Sequence, residues 1–139
     1  RKMDECIFCK IVNGELPSFK VYEDEDIFAF LDLRPVHPGH TLIIPKKHSV
    51  TVLDTDEEVL KKLMVATKKI AKAVYESLEI KGFNITFCQF EVGGQTVPHL
   101  HAHIIPRYEG DGLKFWPSRE YESDDHKKEI QEKITRLLK

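Results

Sequence analysis

Between residues 99 and 106 the chain reads His99-Leu100-His101-Ala102-His103-Ile104-Ile105-Pro106, three histidines in strict alternation with apolar residues. A period of two is the repeat of a β-strand, whose successive side chains point to opposite faces. The segment is therefore expected as a strand over His99 to Ile105, with the imidazoles on one face and Leu100, Ala102 and Ile104 on the other. Two-residue steps set neighbouring rings about 6.6–6.8 Å apart along the strand. That is too long for adjacent rings to bond without a bridging group, and it suits rings that address different parts of one ligand. A polar strand face that happens to use histidine is the plain alternative. Only seven histidines occur in the chain, and three at this alternation beside Gly93-Gly94 weigh against it.

The remaining segments specify what this strand packs with. Val21 to Glu23 and Ile27 to Leu31 are β-rich runs separated by Asp24-Glu25-Asp26, the outline of a hairpin. Pro35 and Pro38-Gly39 punctuate a loop before a third strand, Thr41 to Ile44, which Pro45 ends. One long helix is expected from Asp56 to about Glu79, because Val59, Leu63, Ile70, Val74 and Leu78 recur on a single face. Thr55 and Glu58 have the form of its capping box, and Gly82 lies just past its end. Phe83 to Cys88 reads as a fourth strand, with Cys88 as a small core residue. Cys6 to Gly14 reads as two turns of helix, and Ile130, Ile134, Leu137 and Leu138 as a second amphipathic helix near the C-terminus. Strands, then a helix, then more strands predict an α+β fold: an antiparallel sheet of about five strands with one long helix and a C-terminal helix.

Composition narrows the function classes. With 139 residues, no internal repeat and no linker, one domain over residues 1–139 is expected. A net charge of −2 gives no overall pull toward nucleic acid. No apolar run approaches the roughly 20 residues of a membrane span. Arg1-Lys2-Met3-Asp4-Glu5 lacks the apolar stretch of a secretory signal, so a cytoplasmic protein is expected. Of three cysteines, two are spaced Cys6-x-x-Cys9, a pattern of metal or redox chemistry and not of a disulfide framework.

His99-x-His101-x-His103, preceded by Gly94-Gln95-Thr96-Val97, resembles the signature of the histidine triad superfamily of nucleotide hydrolases and transferases. Cys6-x-x-Cys9-Lys10-Ile11, Phe30-x-Asp32, Pro38-Gly39-His40, Ile44-Pro45-Lys46-Lys47-His48 and Pro106 to Tyr108 resemble further segments of its compact, Hint-type and bacterial branches. The resemblance implies an enzyme that attacks the α-phosphorus of a purine nucleotide derivative, a phosphoramidate or a dinucleoside polyphosphate, through a covalent nucleotidyl-histidine. The middle histidine, His101, would be the nucleophile, and imidazole suits the task because its neutral form attacks without first losing a proton. A protein acceptor at its other ring nitrogen would fix the tautomer. His103 would donate to the phosphate oxygens. Gln95 and Thr96 would supply donors where charge develops, and Gly93 and Gly94 would let the main chain come close. Asp32 would hold the ribose hydroxyls, with Phe8, Phe30 and Leu33 at the base pocket and His40 nearby. Plain core is an equally fair reading of the two phenylalanines. His37 and His126 read as surface residues.

Relatives also suggest that His48 and His99 complete a zinc site with Cys6 and Cys9. Two thiolates and two imidazoles would make a closed, structural Zn2+ site. Two reduced, buried cysteines are the rival reading. Two further classes of function stand beside nucleotidyl transfer: a zinc-hydroxide hydrolase whose alternating histidines hold the metal, and a non-catalytic module that binds a nucleotide or a partner. The resemblance finally implies a two-fold homodimer that joins two sheets through the long helix and the strand after it.

Overall fold

The structure is a computed structural model and describes residues 5–138; the leader reading of Arg1 to Asp4 lies outside them. The first helix, α1 (Ile7–Val12), is capped by Cys6, whose Sγ accepts the Cys9 N–H. It stops at Gly14, whose φ of +79° is open to glycine without strain. Strands β1 (Lys20–Glu23) and β2 (Ile27–Leu31) form the expected hairpin. Asp24 shapes its turn by accepting from the Asp26 and Ile27 N–H groups. Then come β3 (Thr41–Pro45), the long helix α2 (Glu57–Ser77), β4 (Gly82–Thr86), β5 (Ala102–Arg107) and a C-terminal helix α3 (Asp124–Leu137).

All five strands join one antiparallel sheet in the order β1-β2-β3-β5-β4. The central strands Ile27-Phe28-Ala29-Phe30 and Thr41 to Pro45 are buried on both faces, which is why they read as continuous apolar runs. On one face Ile27, Ala29, Ile43, Ala102 and Ile104 pack against Leu63, Ala66, Ile70, Ala71 and Val74 of α2. On the other, Phe28, Phe30, Leu42 and Ile44 pack against Cys6, Phe8 and Cys9 around α1. The second face carries the histidines, because Phe30, Leu42, His103 and Thr86 stand opposite one another across four strands.

Several local expectations are corrected. The capping box lies at Thr51 and Asp54, on a short 3-10 turn, while the N-cap of α2, Asp56, makes no side-chain cap bond. Thr55 instead donates its hydroxyl proton to the Thr51 carbonyl, and its Oγ1 lies 2.7 Å from Ser49 Oγ. The chain leaves α2 through Glu79 at φ +53°, and Gly82 opens β4 instead of stopping the helix. Val59 is half-buried and Leu78 exposed, whereas Ala66, Thr67 and Ala71 complete the buried stripe. Cys88 lies past the end of β4 and is half-buried. His37 is half-buried at the surface, its Nε2 lying 3.2 Å from Asp111. The C-terminal stripe exists, but no residue of α3 is buried.

Candidate active site

The triad does not form one continuous strand. Strand β5 begins only at Ala102; His99 ends a bend, and Leu100 and His101 lie outside any regular element. The bend spans Val97 to His99, around Pro98, and the His99 N–H donates to the Val97 carbonyl at 2.8 Å. Leu100 N–H is tied to the Ser49 carbonyl, also at 2.8 Å, which holds the segment against the chain after β3. The rings of His101 and His103 consequently lean together, with centroids 4.8 Å apart, closer than an ideal strand allows.

Backbone groups assign the proton on each ring, because a carbonyl can only accept and an N–H can only donate. His101 donates Nδ1–H to the His99 carbonyl at 2.7 Å, which leaves its Nε2 with a lone pair. His40 accepts the Val36 N–H at Nδ1 (3.1 Å), so its proton sits on Nε2 and is donated to His103 Nδ1 at 2.9 Å. His103 then carries its own proton on Nε2. Burial lowers the affinity of all three rings for a second proton, most strongly at His103, where His101 and His40 add to it and push it down to about 4. A lone pair on His101 and an N–H on His103 stand side by side. The edge of Phe8 packs on His101, with centroids 5.1 Å apart and planes at 89°.

Asp32 follows β2, its Oδ1 accepting the Arg34 N–H at 2.9 Å and its Oδ2 3.6 Å from His40 Nε2. Gly39 places His40 here: at φ +97° it is strained for other residues, and a Cβ there would collide with Leu78 Cδ1. Phe8 and Phe30 are almost fully buried in the core beneath His101, whereas Leu33 is 74% exposed. Gly94 has a φ of +94° in the loop before the triad. The side chain of Gln95 is buried and bonded within the protein, with one Nε2–H donated to the Val50 carbonyl at 2.6 Å and Oε1 accepting the Phe90 N–H at 2.9 Å. Its backbone N–H donates to the Phe90 carbonyl. Gln95 is thus engaged through Oε1, its backbone N–H and one of its two Nε2 hydrogens. Thr96 is exposed, and its hydroxyl and N–H have no hydrogen-bond partner among the described residues.

His99 belongs to a second cluster. Its Nε2–H donates to the Pro45 carbonyl at 2.8 Å, which turns the Nδ1 lone pair toward Cys6 Sγ (3.3 Å), Cys9 Sγ (3.6 Å) and His48 Nδ1 (3.2 Å). Cys9 Sγ lies 3.4 Å from His48 Nδ1. A tetrahedron with zinc–nitrogen and zinc–sulfur bonds has edges of about 3.3–3.8 Å, so the four donors fit such an ion. Without a cation, burial and the neighbouring Cys6 push the Cys9 thiol up to about 11. Asp32, His40 and His103 also converge, but the ring hydrogen bonds described above occupy both His40 nitrogens and His103 Nδ1. The backbone partners Val36, Pro45 and His99, which set every tautomer, carry no side-chain signal in the sequence. Only the extended segment itself announces that such groups will be near.

Comparison with known proteins places this geometry. The HIT domain profile matches residues 13–110, which contain His40, His48 and the whole triad. The chain belongs to the HIT family. A crystal structure of a Streptococcus mutans protein superposes with a TM-score of 0.92 at 37% identity, covering 98% of this chain and 87% of that one. The adenosine 5'-monophosphoramidase HNT1 of Saccharomyces cerevisiae is 39% identical over 95% of this chain and 82% of its own. A zinc-bound histidine triad protein of Mycobacterium smegmatis, 36% identical, superposes with a TM-score of 0.76 over 97% of this chain and 96% of that one. The α+β HIT fold with its five-stranded antiparallel sheet is the architecture shared with these structures.

Proposed function

We propose that this HIT protein is a nucleotidyl hydrolase or transferase acting on purine nucleotide derivatives of the phosphoramidate or dinucleoside polyphosphate type. The observation that carries the reading is the hydrogen-bond assignment that leaves His101 Nε2 unprotonated beside the Nε2–H of His103. In the first step His101 Nε2 bonds to the α-phosphorus and the bond from phosphorus to the leaving group breaks. The leaving group departs with the bonding pair and takes up a proton. The nucleotidyl-imidazolium keeps its Nδ1–H on the His99 carbonyl, which stabilises the positive charge. Water then attacks phosphorus and loses a proton, the phosphorus–nitrogen bond breaks, and neutral His101 returns with a nucleoside monophosphate. His103 donates to the phosphate oxygens, and the free groups of Thr96 serve where charge develops. Asp32 accepts from the ribose hydroxyls, and the exposed Leu33 offers an apolar contact for the base, while Phe8 and Phe30 stay buried.

Cys6, Cys9, His48 and His99 would hold zinc. Bound there, the ion supplies a cross-link between α1, the turn after β3 and the bend before His101. The named relative of Mycobacterium smegmatis and the fit of the donor set support it. The zinc-hydroxide reading is disfavoured by the division of the triad: His99 faces the thiols, His103 faces His40, and His101 belongs to neither cluster. Assembly is proposed as a two-fold dimer through the outer side of α2 and strand β4. Met64, Val65, Tyr75, Phe83 and Ile85 line an apolar groove of about 540 Å³ there.

The test is His101→Ala. Turnover of adenosine 5'-monophosphoramidate should fall by at least about a thousandfold, with AMP binding largely retained. Turnover within about tenfold of wild type would remove His101 as nucleophile.

A further inference from the structure

The loop that leads into the triad is held in a conformation that its own residues disfavour. Phe90 lies at φ +63° and ψ 162°, a region that is essentially reserved for glycine. Nothing hydrophobic compensates it, since the residue is 55% exposed. The one side chain that bonds its backbone is that of Gln95, among the described residues. Gln95 Oε1 accepts the Phe90 N–H, the Gln95 N–H donates to the Phe90 carbonyl, and Gln95 Nε2–H reaches across to the Val50 carbonyl. Gly93 N–H also donates to the Phe90 carbonyl, so the strained residue closes the short 3-10 turn Glu91–Gly93. Gln95 is buried, and the next residue, Thr96, is exposed, its N–H and hydroxyl without a partner among the described residues.

We propose that Gln95 is a positioning residue, a clamp that holds Phe90 in its strained conformation and thereby fixes the loop from which Thr96 and the triad segment are presented. The Gln95 bond to Val50 and the Leu100 bond to Ser49 stitch the two ends of segment 95–100 to consecutive residues of the facing chain. Loss of the clamp frees Phe90 to relax toward negative φ, which shifts the register of that segment relative to His48 and β3. The substrate would still bind through the nucleoside contacts at Asp32 and Leu33 after β2, but the donors would no longer meet the phosphate oxygens in the transition state. A glycine at position 90 adopts the same backbone without strain and needs no clamp.

The rate readout rests on the nucleotidyl-transfer reading; a second readout does not. With adenosine 5'-monophosphoramidate as the probe, Gln95→Ala should lower kcat at least about tenfold with KM within about threefold. Phe90→Gly alone should stay within about threefold of wild type, and the double variant should recover most of the lost kcat. By hydrogen exchange, the Gly93, Gly94 and Gln95 amides should exchange faster in Gln95→Ala and slow again in the double variant. If Gln95→Ala does not fold, Gln95→Met fills the site without either bond and carries the same expectations. A kcat for the single variant within about threefold of wild type overturns the clamp and leaves the transfer reading standing, and a double variant no better than the single one does the same. If the wild type releases no AMP from the probe, the transfer reading falls. Exchange then decides the clamp, which unchanged amide protection in Gln95→Ala contradicts.

Discussion

His103 is a residue whose neighbours decide its charge. Burial, then His101 and His40, push it down to about 4, against about 6.5 in an unfolded chain. At pH 7 the ring is neutral, accepts from His40 and keeps a proton on Nε2 for a phosphate oxygen. The folded-state value is depressed for a base, so between pH 6.5 and 4 the unfolded chain binds a proton that the folded chain refuses. Stability therefore falls as pH falls through that window. Urea unfolding at pH 7 and pH 5 should show a loss for wild type that exceeds the loss for His103→Asn by on the order of 1 kcal/mol, discounted for the partial exposure of the ring. Equal losses in both proteins would mean that His103 is not the neutral acceptor drawn here. The alternation of the triad was legible in the residues, but the partner of each ring was not. A side chain can be read from its type, whereas the carbonyls of Pro45 and His99 are chemically the same as every other carbonyl until the chain folds.

At the scale of elements, the central strands β2 and β3 were the easiest to read because their apolar runs are buried on both faces. Boundaries were harder. The strand expected from His99 starts at Ala102 because Pro98 and the bend at His99 precede it. Gly82 lies where a helix stop was expected, yet Glu79 takes the positive φ and the glycine enters the sheet. Helix α1 shows how an element of six residues is kept in place. It is too short to be stable alone, and its docking depends on Phe8 and on the two cysteines beside His48 and His99. Zinc at those four donors would cross-link it to the sheet. Cys9→Ser is expected to reduce bound zinc from about one per chain to a small fraction. The accompanying loss of about 3 kcal/mol should lower Tm by roughly 10 °C in a domain of this size. Elemental analysis together with a thermal melt checks both. Zinc-free wild-type protein purified without chelator would leave Cys6 and Cys9 as buried thiols.

For the whole molecule, the outer side of α2 and the edge strand β4 remain open to a partner. Val65 is 70% exposed there, and Met64, Tyr75 and Phe83 surround it. An unpaired edge beside an apolar groove is a liability in a monomer, and two-fold pairing would cover both. Val74, on the expected helix face, is 8% exposed and belongs to the core under the sheet, so a charge there would test folding and not assembly. Val65→Glu is the cleaner probe. It should raise the dimer dissociation constant by at least about tenfold, equivalent to about 1.4 kcal/mol, and leave Tm of the monomer nearly unchanged. Light scattering across a concentration series reads the mass directly, and a wild-type protein that remains at 16.1 kDa throughout would exclude the dimer.

The central claim is that His101 becomes covalently bonded to phosphorus, and the stereochemical course of the reaction tests it most directly. Each in-line displacement inverts the phosphorus, so attack by His101 followed by attack by water amounts to two inversions. A substrate made chiral at the α-phosphorus with sulfur, hydrolysed in water enriched in heavy oxygen, reports the outcome by phosphorus NMR of the product. The account predicts net retention of configuration. Net inversion would mean that water attacks the substrate in a single step, and would contradict a nucleotidyl-histidine at His101.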